Sequence, residues 1–225
     1  MSNEVPVRPP VENGMLVKQV YFPSAVYSAL MPEFLASVRA VFDEYMSAAR
    51  LKDEIDPLHP MLMSANFSKD ARIAEFSHHV ANTGWNILQS QGYRMQGRAT
   101  FFAEMWGQQH GRTSSVAEHV HPGAQISGFY FLDTPPGSSK IRLHDPRPAK
   151  AMINLPEDAP GQPSMASPFV TITPQAGMLF FANAWLPQAL TRHGAEQPMS
   201  VVHFNLGVLN AQAKPAPAAG DAIVI

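Results

Sequence analysis

The 225-residue chain contains no cysteine and few charged side chains. Without thiols there can be no disulfide or thiolate metal site, so any metal has to take histidine, carboxylate, amide or water ligands. Charged residues make up only 15%, and the net charge of −2 argues against a general nucleic-acid or membrane-surface binder. The sequence has no apolar run of about 18 residues and no apolar core of a signal peptide near its start. These absences favour a soluble protein of the cytoplasm.

The composition that remains is typical of a globular protein, because 45% of the residues are hydrophobic. A chain of this length can bury one sizeable core but not two comfortable ones. Its 21 prolines indicate many turns and few long helices. We therefore predict an extended N-terminal arm over 1–15, a single domain over 16–210 and a flexible tail over 211–225.

Helical periodicity is confined to the first half of the chain, and short strand patterns fill the second. Apolar residues spaced by three and four predict helices over 32–50 and from Ser68 or Lys69 to Gln91. A first strand is predicted at Lys18–Phe22 and a polar loop at Gln108–Ser115. The remaining predicted strands are Arg98–Trp106, Ala117–His121, Gln125–Leu132, Lys140–Leu143, Phe169–Thr173, Met178–Phe181, Ala184–Leu190 and Ser200–Leu209. This order predicts a mainly β (α+β) fold, a sandwich or barrel with helices packed on one sheet.

The dipeptide spacing of His119 and His121 is the strongest chemical signal. In a strand, residues two apart point the same way and lie about 6.6–7 Å apart along the backbone. Two such imidazoles can converge on one first-row metal ion and leave its other positions open. The same spacing also fits two histidines on a polar strand face, so it does not decide the matter alone.

Six short motifs in a fixed order extend that signal over residues 98–210. They are His119-x-His121-Pro122-Gly123, Ser127 to Leu132, Asp145-Pro146-Arg147, Gly177 to Phe181, Trp185-Leu186-Pro187 and His203-Phe204-Asn205. The series resembles the 2-oxoglutarate/Fe(II)-dependent oxygenases, and in particular a branch common in cyanobacterial and marine phages. The resemblance implies a double-stranded β-helix, or jelly roll, with helices outside and Fe(II) and 2-oxoglutarate as cofactors.

The resemblance also implies a ligand set, from which this chain departs. It makes His119 the first ligand and His121 the second, and it puts Gln188 where a distal histidine is expected. An amide oxygen is a weaker Fe(II) ligand than imidazole. Either Gln188 binds through its carbonyl oxygen, or His193 reaches the metal after a loop shift.

A second departure concerns 2-oxoglutarate, which relatives anchor with Arg or Lys on the strand that here reads 198–203. No cation lies there, although a guanidinium would match a carboxylate. Candidate cofactor-binding residues are Arg147, Arg192, Tyr130 and Asn205, with Arg142 and Arg98 possible from neighbouring strands. Arg147 fits equally well as a solvated turn residue paired with an acid.

The function that this resemblance implies is a dioxygenase or hydroxylase that acts on a protein side chain or a small molecule. A catalytically degenerate jelly roll is the alternative, serving in interaction, homo-oligomer or virion assembly. A cupin-like enzyme with histidine ligands alone is a third hypothesis. The chain lacks a Gly-x-Ser-x-Gly elbow, a phosphate loop and basic residues interleaved with aromatics, which argues against hydrolase, nucleotide-binding and RNA-binding functions.

Overall fold

Two helices lie at the start of the region described by the computed structural model, which comprises residues 18–52 and 54–211. Helix α1 (Leu35–Arg50) follows a short 3-10 turn at Pro32–Phe34, where proline suits a helix start. Helix α2 (Ala74–Ser90) follows a 3-10 turn that Asp70 caps, because its side chain accepts a hydrogen bond from the Arg72 backbone N–H. Both helices confirm the predicted apolar periodicity, and neither is long and apolar enough to cross a lipid bilayer.

The strands form two antiparallel sheets that face each other. They are β1 (Val26–Leu30), β2 (Met61–Met63), β3 (Arg98–His110), β4 (Val116–His119), β5 (Ile126–Asp133), β6 (Ile141–His144), β7 (Phe169–Ile172), β8 (Met178–Asn183), β9 (Gln188–Leu190) and β10 (Met199–Asn210). The larger sheet has the order β1-β8-β5-β10-β3-β2, and the smaller has the order β4-β9-β6-β7. This is the predicted jelly roll with its helices outside.

The larger sheet separates two apolar cores. Because side chains alternate along a strand, Phe129 and Phe131 of β5 enter the core between the sheets. Tyr130 and Leu132 of the same strand enter the core beneath the helices. Strand β5 is therefore apolar on both faces, and it reads in the sequence as a continuous apolar run.

The helices approach this sheet closely. Gly84 of α2 leaves so little room that a Cβ atom there would lie 2.4 Å from Leu206 Cδ1. Near the N-terminal end of α1, the Arg39 guanidinium donates two parallel hydrogen bonds to Asp133, with N···O distances of 2.6 and 2.7 Å. The helices thus cover one face of the sheet and leave the other face to the interior of the roll.

Two strand predictions and one loop prediction are wrong in position. Residues 18–22 form no strand, and the first strand instead begins at Val26, where it pairs with β8. The loop predicted at Gln108–Ser115 begins only after His110, because β3 continues between β2 and β10. The strand predicted over 184–190 is reduced to β9, since a turn joins Asn183 to Leu186. The predictions for 1–15 and the tail lie outside the described residues, apart from Ala211.

Candidate functional site

A cavity of about 150 Å³ lies between the two sheets. Both sheets contribute to its wall, the larger through β2, β3, β5 and β10 and the smaller through β4 and β9. Apolar and imidazole groups dominate the lining, which consists of Met63, Trp106, Gln108, Val116, His119, His121, Phe129, Gln188, Ala189, Leu190 and His203. Among the described residues, no lysine or arginine lines this cavity.

The structure brings His119, His121 and Gln188 together in this wall. His119 in β4 lies directly opposite Gln188 in β9, and opposite residues in an antiparallel pair share a face. His121 follows β4, and its backbone N–H donates to Ala184 O at 2.9 Å. Its Nε2 lies 2.8 Å from Gln188 Nε2, and the centroids of the two imidazole rings are 4.8 Å apart.

Both histidines can present a nitrogen lone pair to the cavity. His119 Nδ1–H donates to Ala117 O at 2.8 Å, which leaves Nε2 as the acceptor nitrogen, an arrangement typical of metal-binding histidines. Burial, and secondarily the charge of His119, lowers the pKa of His121 to about 4. His121 is therefore neutral at pH 7, as a metal ligand must be.

Gln188 has an orphaned atom. Its side chain is buried, and Nε2 donates to Ser127 Oγ at 3.1 Å, while Oε1 is buried without a hydrogen-bond partner in the described part of the chain. The two ends of a side-chain amide exchange places on rotation about its last bond. Adjacent ligands with metal bonds of about 2.1 Å lie about 3 Å apart, which matches the 2.8 Å between His121 and the Gln188 amide. These residues fit a divalent metal ion.

A buried polar network continues behind Gln188. Ser127 Oγ lies 3.0 Å from Nε2 of His203, whose Nδ1 lies 3.4 Å from Gln108 Nε2. Gln108 Oε1 in turn lies 3.2 Å from His110 Nε2. Burial, and then the charge of His121, lowers the pKa of His203 well below its ordinary value, so this ring is neutral. The network orients Gln188 without placing a charge beside it.

In the part of the chain that the structure describes, no third histidine or carboxylate completes the ligand set. Within residues 18–52 and 54–211, no three histidine, aspartate or glutamate side chains are arranged to hold a metal ion. His193 is not brought to the cavity, because Ser139 N–H donates to its Nδ1 at 3.3 Å and its Nε2–H donates to Gln197 O at 2.9 Å. These bonds secure His193 between loops.

Of the four predicted cofactor-binding residues, the structure places only Asn205 on the cavity side. Asn205 lies directly opposite Ser127, and its Oδ1 is buried without a partner in the described chain. Tyr130 faces the helices, because alternation along β5 turns it away from Phe129, and its hydroxyl donates to Met31 O at 2.7 Å. Burial and then Glu33 raise the pKa of Tyr130 to about 12.

The arginines also lie elsewhere. Arg147 pairs with Asp145 through N···O distances of 2.9 and 2.7 Å, and its hydrogen bonds hold the pKa of Asp145 well below its ordinary value. Arg192 is exposed, and so is Arg98. Arg142 stacks over Phe169 at 4.4 Å from the ring centroid, on the outer face of the small sheet. None of these guanidinium groups belongs to the wall of the 150 Å³ cavity within the described chain.

A larger cavity, of about 1130 Å³, lies under the segment between β6 and β7. Arg147, Lys150 and Asp145 line it together with many apolar and proline side chains, but no histidine does so in the described chain. The smaller cavity is therefore the one that the predicted ligands His119, His121 and Gln188 line.

The sequence predicted His119, His121 and Gln188 as site residues, and it did not single out Trp106 and Gln108, which line the same cavity. Both lie on β3, whose period-two alternation points Trp106, Gln108 and His110 to one face. That alternation is the signal that the sequence offers, but the polar residues after Trp106 resemble those of a loop and hide it.

Solved structures with the same fold are numerous, although their sequences are only distantly related to this chain. AviO1 from Streptomyces viridochromogenes is 14% identical, with a TM-score of 0.55 over 86% of this chain and 93% of its own. A Pseudomonas putida prolyl-4-hydroxylase is 12% identical, with a TM-score of 0.53 over 81% and 92%. HygX from Streptomyces hygroscopicus, solved with nickel and 2-oxoglutarate bound, is 10% identical, with a TM-score of 0.52 over 82% and 83%. These likenesses establish the fold.

The sequence itself matches one family. No curated protein sequence matches the chain. Residues 104–205, which run from within β3 to within β10 and include the whole cavity wall except Met63, match the family model described as "Putative 2OG-Fe(II) oxygenase". Over this region, which is 102 of the 225 residues, the chain is similar to the Fe(II)- and 2-oxoglutarate-dependent oxygenases.

Proposed function

We propose that Nε2 of His119, Nε2 of His121 and Oε1 of Gln188 hold the Fe(II) ion of this oxygenase. The observation that carries the proposal is the cross-strand pairing of His119 with Gln188 beside the 2.8 Å approach of Gln188 to His121. Ser127 supports the arrangement, because its hydroxyl contacts the Gln188 amide and can hydrogen-bond whichever end of it faces inward.

The three ligands are neutral, which sets the charge balance of the site. A divalent ion held by two imidazoles and one amide keeps its full charge of two, and dianionic 2-oxoglutarate offsets that charge when it chelates. When bound, the pair supplies oxidation by O₂: 2-oxoglutarate loses CO₂ to become succinate, which takes one oxygen atom, while the other enters a substrate C–H bond. The neutral, buried His203 adds no competing positive charge.

The chain excludes water from this centre through apolar walls. Phe129 and Leu190 belong to the core between the sheets and also line the cavity. A dry site strengthens each electrostatic interaction within it.

The substrate is either a small molecule or a protein side chain. Homo-oligomer formation, association with a virion and a cytoplasmic location remain predictions from the sequence. The family match does not favour the alternative of a catalytically degenerate module.

Titration with Fe(II) under anaerobic conditions tests the ligand set. The wild-type protein should bind one equivalent, and His119→Ala should weaken binding by about a hundredfold or more, because ligand number and type set affinity. His78→Ala, which removes an exposed histidine from α2, is the matched control and should bind as the wild type does. With O₂ and 2-oxoglutarate, the loaded wild type should release succinate. A wild-type protein that binds no Fe(II) would rule the proposal out.

A further inference from the structure

The indole N–H of Trp106 is unpaired among the residues that the structure describes. Its Nε1 is buried and lacks a hydrogen-bond partner within the described part of the chain, although the side chain lines the 150 Å³ cavity. Trp106 lies opposite His203 in the larger sheet, and the centroids of the two rings are 4.3 Å apart. A buried donor without an acceptor is destabilising, so an unpaired N–H in a cavity wall points to a ligand that accepts from it.

A second neutral donor lies two residues along the same face. The Gln108 side chain is buried and lines the same cavity, and its Nε2 is held 3.4 Å from His203 Nδ1. Because His110 fixes the opposite end of this amide at 3.2 Å, Gln108 is preorganised. Trp106 and Gln108 thus present nitrogen donors from one strand, and neither carries a charge.

The position at which the resemblance places a cation is apolar here. On the strand that begins at 199, Met199 and Val201 are both fully buried in the core between the sheets. With no lysine or arginine in the cavity wall of the described chain, the far carboxylate of 2-oxoglutarate has only neutral donors to meet.

We propose that the indole N–H of Trp106, assisted by the Gln108 amide, binds the carboxylate of 2-oxoglutarate that does not chelate the metal. This assignment rests on the proposed metal centre. The bond is charge-assisted, because the acceptor is an anion, and such bonds are stronger than neutral ones. The indole lacks the positive charge of a guanidinium. The site should therefore bind 2-oxoglutarate only modestly more tightly than a 2-oxo acid that has no second carboxylate.

Ligand binding to the Zn²⁺-loaded full chain tests the assignment without turnover. Calorimetry should compare 2-oxoglutarate with 2-oxopentanoate, which has the same chelating end but no second carboxylate. Trp106→Phe removes the N–H and retains an aromatic ring against His203. The matched control is Trp85→Phe, because the Trp85 N–H donates to Arg98 O at 3.0 Å, away from the cavity.

The wild type should prefer 2-oxoglutarate by about tenfold, and Trp106→Phe should lose that preference because its 2-oxoglutarate affinity alone falls by about tenfold. Trp85→Phe should bind both ligands as the wild type does. Equal weakening of both ligands by Trp106→Phe, or no weakening of either, would overturn the assignment while leaving the metal centre intact. Failure of the wild type to bind Zn²⁺ would instead overturn the metal centre on which the assignment rests.

Discussion

Residue 188 contacts His121 and faces His119, so its donor atom should control metal affinity directly. Imidazole is a better ligand than an amide oxygen for Fe(II) and for neighbouring first-row ions. Gln188→His should therefore raise the affinity for Co²⁺ or Fe(II) by about tenfold or more, as measured by competition with a coloured chelator.

Adding a histidine elsewhere controls for adventitious binding. Gln89→His places one on the exposed side of α2 and should leave the affinity unchanged. An affinity that stays equal in Gln188→His and wild type would mean that residue 188 does not reach the metal.

The metal-ligand hypothesis was accessible from single residues because it depends on local geometry. Period-two alternation places His119 and His121 on one face whatever the rest of the chain does. The cofactor-binding prediction for Tyr130 required knowledge of which face of β5 covers which core. Because both faces of that strand are apolar, the sequence does not show which face lies against the helices. In the structure, Tyr130 lies on the face that packs against the helices.

Among the elements, long periodic helices were the easiest to predict and polar interior strands the hardest. The apolar stripes of α1 and α2 span several turns, and tertiary packing preserves them. The end of β3 carries Gln108 and His110, which resemble loop residues in sequence. Their burial becomes favourable only because distant β10 supplies pairing partners and the ring nitrogen of His203, which Ser127 holds from its other side.

The carboxylate of Asp145 joins the beginning of the segment between β6 and β7 to its end, through Lys150. Asp145 accepts hydrogen bonds from Arg147 and from Lys150 Nζ at 2.9 Å, and Lys150 Nζ also donates to Ser167 O at 2.6 Å. Asp145→Asn removes the charge that joins these groups. Hydrogen exchange in residues 148–167 should therefore accelerate by about tenfold, as expected for the loss of roughly 1.4 kcal/mol of local stability.

Metal affinity should not change in this variant, because the segment borders the larger cavity and not the smaller one. Asp158→Asn, an exposed position on the same segment, is the control and should exchange as the wild type does. Equal exchange in the Asp145 and Asp158 variants would mean that apolar packing alone closes the segment.

For the molecule as a whole, the order of short motifs predicted the jelly roll better than any single element did. Turns at Gly123 and Gly177, both with positive φ, recur where the chain passes from one strand to the next. The exact strand bounds and the polar interior could not be predicted, because pairings such as that of β3 with β10 join residues about a hundred positions apart.

The buried histidines make the stability of the whole fold depend on pH. Burial, and then the charges of His193 and His59, lowers the pKa of His110 from 6.5 to about 4. Between pH 6.5 and about pH 4, His110 is protonated in the unfolded chain but not in the folded one, so a fall in pH stabilises the unfolded state. The free energy of unfolding should fall by about 2 kcal/mol between pH 7 and pH 5 on account of His110 alone. Asp145, whose pKa is lowered from 3.8, loses its contribution only at more acidic pH.

Urea unfolding at pH 7 and pH 5 separates this contribution from the others. His110→Gln retains hydrogen-bonding groups but cannot titrate, so its stability should fall by about 2 kcal/mol less than that of the wild type over this range. His78→Gln, at an exposed site on α2, should keep the wild-type dependence. If His110→Gln lost as much stability as the wild type, His110 would already accept its proton in the folded state. The acid sensitivity would then arise from the remaining buried imidazoles, such as His203, whose pKa is also lowered by burial.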